Sequence, residues 1–385
     1  MKTPVVKRLL IALCMLVGLA AFGAAAWSWK QATRPGRVHF ERGLDYAAAK
    51  QIPQAEQEWL AGVRQDPDFP DNHAQLGDLY SALGRPGEAA AQYQSATRLT
   101  PKDGTLFLRL ARADEAAGDT GAALAAAGRA AALRPDDAEA LGYSGILAAK
   151  LNQPDRARAP LARAHALVPD DADDLIYLVR VEFQLHDFSG AERDLTPFVG
   201  HHPDNAEACY LMASLLHQKP QTAVTTQAAL GYARRAQAGA PGNADVSVLL
   251  GQALLDAGQT AQALPVFRQA QAQAPNSVLA LHGLLTCCTI LGRPGEAARA
   301  KALLDAALAR RVRMGHASDL LLANPSDIAA MLEMARLHEE NGEPAVAGSF
   351  YRQAVRHAPH DARARSALGA FLQRVGGHGA DQPSR

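Results

Sequence analysis

Prolines recur in this chain at an interval that a single closed core has no reason to keep: Pro67, Pro101, Pro135, Pro169 and Pro203 stand 34 residues apart. Pro241, Pro275, Pro325 and Pro359 continue the series, with one gap widened to 38 and another to 50. The octapeptide LGRPGEAA occurs at residues 83–90 and again at 291–298, a separation of 208 that is four residues more than six full periods. Such a period marks a repeated supersecondary unit, each copy burying its apolar face on its neighbours. The four extra residues fall in the sixth copy, around QKPQTAVTTQ, and sixteen more follow the eighth, at RRVRMGHASDLLLANP.

Laid out from Gly36, the copies occupy residues 36–69, 70–103, 104–137, 138–171, 172–205, 206–243, 244–277, 278–327 and 328–361. A final helix over 362–375 is expected to cap the last apolar face, and 376–385 reads as a disordered tail. Position 20 is alanine in every copy: Ala55, Ala89, Ala123, Ala157, Ala191, Ala229, Ala263, Ala297 and Ala347. Position 8 is usually small (Gly43, Gly77, Ala111, Gly145, Ala213, Gly251, Ala335), and so is position 27 (Gly62, Ala96, Ala130, Ala164, Ala236, Ala270, Ala354). Helices approach closely only over small side chains, so these three positions are expected to form the seam of an antiparallel helix pair. Larger residues at positions 7, 11 and 24, such as Leu76, Tyr80, Tyr93, Trp59 and Phe267, then fill the space beside it. No alternating β-branched run interrupts the pattern, and the fold class is all-α.

Within LGRPGEAA, Gly84 and Gly292 suit a helix C-terminus that turns through positive φ, and Pro86 and Pro294 suit the first turn of the next helix. Glu88 and Glu296 favour that helix's positive end. The octapeptide therefore reads as the turn inside a repeat rather than as an anion loop.

One copy carries L-G-x-x-Y at residues 76–80, then Ala89, Tyr93, Ala96 and Pro101, and in this it resembles the tetratricopeptide repeat. The likeness spans about residues 36–375. It implies a right-handed α-α superhelix whose concave wall is lined by the first helix of each repeat, chiefly at positions 2, 5, 9, 12 and 13. In the central repeats those offsets hold Arg112, Ile146, Lys150, Ile176, Arg180, Phe183, Gln184, Tyr210, Ser214 and His217. Tyr143 and Tyr177, at position 6, lie at the edge of that wall, where they either face a ligand or pack between neighbouring repeats. The partner-binding set taken from this wall is Arg112, Tyr143, Ile146, Tyr177, Arg180, Phe183, Tyr210, Ser214 and His217; aromatic and Arg side chains there suit an extended peptide or a partner helix. The Lys/Asn clamp of chaperone-tail binders in this family is missing, since its places hold Phe40 and Leu44, then Ala74 and Asp78.

Two repeats depart from the pattern. The fifth has Val179 at position 8, Phe198 at position 27 and Pro197 in its second helix, where a kink or altered packing is expected. In the eighth, Leu285, Leu304 and Ala309 stand where Gly/Ala, Ala and Pro belong, and the sixteen added residues are expected to lengthen its second helix.

Before the array, Lys2, Lys7 and Arg8 precede an uncharged run over residues 9–29, long enough to cross a bilayer as a helix. Two readings fit: an uncleaved signal anchor with interfacial Trp27 and Trp29 (residues 1–30, then a linker at 31–35), or a signal peptide cleaved after the small residues of AAFGAAA. Both export the array, in a bacterium to the periplasmic side of the inner membrane. Cys14 lacks the small preceding residue of a lipobox, so a lipid anchor is not expected.

Little in the chain points to catalysis. Lys plus Arg and Asp plus Glu both number 39, a balance without the cationic excess of a nucleic-acid binder. Arg310, Arg311 and Arg313 read as a solvated helix end. Cys209, Cys287 and Cys288 read as small apolar side chains, and His201, His202 and Cys209 lack the further ligands of a metal site. No HExxH, GxSxG, P-loop or GxGxxG motif is present, no cofactor is implied, and the repeats leave no room for a catalytic domain. The expected function is a non-catalytic scaffold holding a protein or peptide at the cell envelope, in assembly, secretion or surface-polymer export. The alternative is an accessory subunit of an envelope enzyme such as a polymer synthase or glycosyltransferase.

Overall fold

The computed structural model describes residues 34–377, which form nineteen α-helices and, among the described residues, no strand. The anchor or signal segment at residues 9–29 lies outside them, as do residues 378–385; within 34–377 no helix is long and apolar enough to cross a membrane. The helices fall into two compact units divided after Phe198.

The N-terminal unit holds the pairs α1 (Pro35–Ala48) and α2 (Ile52–Gln65), α3 (Pro70–Ala82) and α4 (Pro86–Leu99), α5 (Gly104–Ala116) and α6 (Thr120–Leu133), α7 (Ala138–Lys150) and α8 (Pro154–Leu167), and α9 (Ala172–Gln184) with most of α10 (Phe188–His201). The C-terminal unit pairs α11 (Ala206–His217) with α12 (Ala223–Gly239), α13 (Ala244–Asp256) with α14 (Thr260–Gln273), α15 (Val278–Ile290) with α16 (Pro294–Ala323), and α17 (Ile328–Glu340) with α18 (Pro344–His357). The expected cap is α19 (Ala362–Gly377), whose Phe371 is buried against Tyr351 with ring centroids 5.1 Å apart.

Each repeat is punctuated by local chemistry. The residue before the first helix is an acceptor that bonds the free N–H groups of its first turn in seven repeats out of nine, as Asp103, Asp137, Asp171, Asn205, Asn243, Ser277 and Asp327, and again before the cap as Asp361; Arg34 before α1 makes no such bond. Phe69 takes that place before α3 and makes no such bond; its ring packs edge-on to Phe40, beneath the Arg34 guanidinium. Position 15 adopts positive φ as Lys50, Gly84, Gly118, Asn152, His186, Gly258, Gly292 and Gly342. In the sixth repeat Pro220 stands there, and its ring forbids that conformation. The four added residues replace the turn with a longer one, ended by a Thr222–Thr225 capping box at the start of α12.

The seam differs from the expected one. Position 20 is fully buried at Ala55, Ala89, Ala123, Ala157, Ala191, Ala263 and Ala347, but only half-buried at Ala297 of the eighth repeat. At position 8 the small residue faces a large one, because position 24 of the partner helix packs onto it. A Cβ on Gly77 would lie 2.6 Å from the Tyr93 ring, one on Gly145 2.5 Å from Leu161, and one on Gly251 2.7 Å from Phe267; Gly43 is packed under Trp59 in the same way. Position 27 leaves the pair altogether and meets position 3 of the following repeat: Gly62 abuts Asn72, Ala130 clusters with Ala140, and Ala236 with Val246. Replacing Ala89 or Ala263 by Leu is expected to lower stability by about 1–3 kcal/mol through overpacking, read as a drop in melting temperature for each.

In the fifth repeat Val179 and Leu195 fill the seam and are fully buried, and α10 runs on through Pro197 as one helix. In the eighth the added residues do extend the second helix, making α16 thirty residues long. Arg310 and Arg313 therefore lie in mid-helix and not at a solvated end: Arg310 Nε donates to Glu340 at 3.1 Å and Arg313 to Glu333 at 2.6 and 2.8 Å, both carboxylates on α17.

Candidate interaction wall

First helices of successive repeats touch, as α1 does α3 and α7 does α9 in the N-terminal unit, and α11 does α13 and α13 does α15 in the C-terminal unit. No two second helices approach to the same extent, so within each unit the first helices form the tighter, inner wall. The residues chosen from sequence sit on that wall, but in two separate groups.

In the N-terminal unit the wall is laced by bonds within and between repeats. Asp78 Oδ1 accepts from the Tyr93 hydroxyl at 2.7 Å, and Asp78 Oδ2 from Arg109 Nη1 at 3.0 Å. Burial, followed by the hydrogen bond to Asp78, pushes the Tyr93 phenol up to about 12. Arg112 pairs with Glu139 of the next repeat. Glu115 accepts from Lys150 Nζ at 2.8 Å and from the Tyr143 hydroxyl at 2.6 Å. The Lys150 ammonium and then that hydroxyl hold the Glu115 carboxyl below the usual range, while burial raises the Tyr143 phenol. Arg112 and Tyr143 are thus committed to joining repeats, and Tyr143 packs between neighbours rather than standing free. Ile146 is half-buried on the same core, and Ile176 is fully so.

The exposed remainder of this group lies on α9. Tyr177 leans half-buried on the core, Arg180 is exposed, and the half-buried Phe183 ring sits 5.8 Å from that of Phe188. At the other end of the unit the wall holds a cavity of about 170 Å³ lined by Phe40, Asp71, Ala74, Asp103, Leu106 and Arg109, which sequence reasoning did not single out. Asp71 is raised there by burial, opposed by Arg37 and assisted by Asp103.

In the C-terminal unit Tyr210 packs half-buried on Cys209, Ala236 and Val246, Ser214 is half-buried, and His217 Nδ1 stands 2.9 Å from Asp256 of the next repeat. Cys209 Sγ donates to the Pro203 carbonyl at 3.2 Å. Burial raises the Cys209 and Cys288 thiols and takes Cys287 up to about 11, so all three are inert packing groups. Among the described residues no group of three or more His, Cys, Asp or Glu side chains is placed to hold a metal ion.

Paired helices of similar length and register, lengthened only in the sixth and eighth repeats, with caps and turns at recurring offsets, define a helical-repeat protein. Models of the tetratricopeptide repeat match residues 70–113, 108–172, 178–244 and 225–288, together more than half of the chain. The chain belongs to the tetratricopeptide-repeat family. No match is found among curated proteins. Among solved structures it is similar to a tetratricopeptide repeat protein from Parabacteroides merdae, at 19% identity over 66% of this chain and 99% of that one, with a TM-score of 0.41. It is also similar to YrrB, described as a TPR protein with an unusual peptide-binding site (20% identity, 49% and 96% of the two chains, TM-score 0.42). PilW, a type IV pilus biogenesis factor, matches at 22% identity over 56% and 97% of the two chains with a TM-score of 0.43. Likenesses this distant say nothing about what the present chain binds.

Proposed function

We propose that this protein is a non-catalytic scaffold that holds a protein or peptide partner on the inner wall of its repeats, tethered to the cell envelope by residues 9–29 with the array on the periplasmic side. The observation that carries the reading is the division of the wall on α7 and α9: Tyr143 is spent on Glu115, whereas Tyr177 and Phe183 offer two half-exposed rings on α9, the helix that also carries the exposed Arg180. Tyr and Phe supply contact area with few rotamers to freeze, and Arg supplies a forked donor, a combination that suits a peptide backbone with an acidic or carbonyl-rich segment. Tetratricopeptide arrays are typically interaction scaffolds, which agrees with this use of the wall.

The test is crosslinking in intact cells with a reagent that does not cross the inner membrane. Partner proteins captured by the wild type are expected to fall at least tenfold when Tyr177, Arg180 and Phe183 are replaced together by Ala, with circular dichroism unchanged. An identical set of partners from both would remove the wall from the account. Failure of the reagent to label the array at all would remove the periplasmic placement.

A further inference from the structure

The fifth repeat carries a departure that the wall does not explain. Position 11 of a repeat is Tyr46, Tyr80, Asp114, Ala148, Leu216, Leu254, Cys288 or His338 elsewhere, but here it is Glu182, the one glutamate in the set. Position 19 is glycine only in this repeat, as Gly190. The two belong together, because a Cβ on residue 190 would lie 2.6 Å from Glu182 Oε1.

Glu182 is 1% exposed, and its Oε2 has no hydrogen-bond partner. Charged groups act on it from three elements: Arg158 on α8, Asp187 in the α9–α10 turn, and Arg193 and Asp194 on α10. Both guanidiniums are already engaged. Arg158 pairs with Asp187, and Arg193 holds the two oxygens of Asp194 at 2.7 and 2.9 Å. What remains for Glu182 is a buried site with two carboxylates nearby. An ion there, without a cation of its own, is costly. Burial, followed by Asp194 and Asp187, raises this carboxyl to about 7, and Arg158 and Arg193 offset only part of that. The turn beneath it is held by the Asp187 amide, which donates to the Glu182 carbonyl at 2.8 Å, and by the Gly190 amide, which donates to Asp187 Oδ1 at 2.9 Å.

We propose that Glu182 is a pH-operated latch on the α9–α10 pair: protonated, it lies packed between the helices, and on losing its proton to solvent it is driven out towards water and loosens the turn at Asp187 and Gly190. Tyr177, Arg180 and Phe183 ride on the same helix, so the latch governs how firmly that face is held. It rests on Glu182 and its neighbours alone and stands whether or not the wall binds a peptide.

The sign follows from the two states. An unfolded glutamate ionises above about 4.5 and the latched one only near 7, so closed α9–α10 is favoured least at and above pH 7. Hydrogen exchange of the full chain in detergent, read by mass spectrometry and corrected for intrinsic rates, is the measurement. Between pH 6 and pH 8 the protection of peptides within residues 175–198 is expected to fall about tenfold, and that of residues 244–273 to stay level. Glu182→Gln and Glu182→Leu are each expected to abolish the fall, the second carrying the side chain that Leu216 and Leu254 place at this position. An equal fall in a folded variant, or a level response in the wild type, would overturn the latch.

Discussion

Phe267→Ala is expected to be among the most damaging single substitutions in the chain, at about 3–5 kcal/mol of unfolding stability. Phe267 is 1% exposed and is clasped between two glycines, Gly251 of its own repeat and Gly283 of the next. Glycine has no side chain to swing into the space, so the void left by the ring stays largely open, and the surrounding helices collapse onto it only by shifting as bodies. The third and sixth repeats show another solution at the same two positions, where Ala111 stands with Ala127 and Ala213 with Ala233. Phe267→Ala combined with Gly251→Ala is therefore expected to recover part of the loss, a coupling that urea denaturation of the two single variants and the double variant measures directly. Additive losses would mean that positions 8 and 24 do not pack as a matched pair.

Asp174→Asn is expected to stabilise the protein at pH 8 and to leave it unchanged near pH 4. Asp174 is buried over the Cα of Gly142, and burial, followed by repulsion from Asp171 and Asp173, raises its carboxyl to about 6. No cation is among the charges acting on it. Below about pH 4 the group is protonated both folded and unfolded and contributes nothing to the difference. Between about 4 and 6 the unfolded chain ionises while the fold does not, so stability is lost as pH rises, up to about 3 kcal/mol, and the loss levels off above 6. Asparagine keeps the shape without the charge. The check is the urea midpoint at both pH values; a variant no more stable than the wild type at pH 8 would show that Asp174 finds a counter-charge or water. Carboxylates such as Asp66, Glu115 and Glu339 work the other way. Arg34, Lys150 and Arg374 hold them low, so their stabilisation disappears only on acidification below the ordinary carboxylate range, outside this window.

Much of the architecture was legible because it is written in local chemistry repeated many times. The 34-residue proline interval, the invariant Ala at position 20 and the residues suited to a left-handed turn at position 15 each act within one repeat, and their recurrence makes a weak preference unmistakable. The sixth repeat's longer turn and the eighth repeat's lengthened helix announced themselves as breaks in the interval. Caps at the last position of every repeat but the first were just as visible, in Asp103, Asp137, Asp171, Asn205, Asn243, Ser277, Asp327 and Asp361.

The wall was harder to read. Arg112 and Tyr143 have the composition of a binding surface, yet their partners Glu139 and Glu115 lie 27 and 28 residues away. Whether such side chains reach each other depends on the rotation from one repeat to the next, a quantity no single repeat contains. The same holds for position 27, which any helical wheel assigns to the apolar face without saying whether that face meets its own partner or the following repeat.

Residue spacing alone thus settled the class, the register, the turns and the two interruptions, because those are decided over a few residues by backbone sterics and capping. Packing between repeats decided which wall residues are spent on one another, which glycine accepts which ring, and that Glu182 and Asp174 are enclosed. Desolvation and ion pairing depend on everything that surrounds a side chain, and that environment exists only once the repeats are stacked.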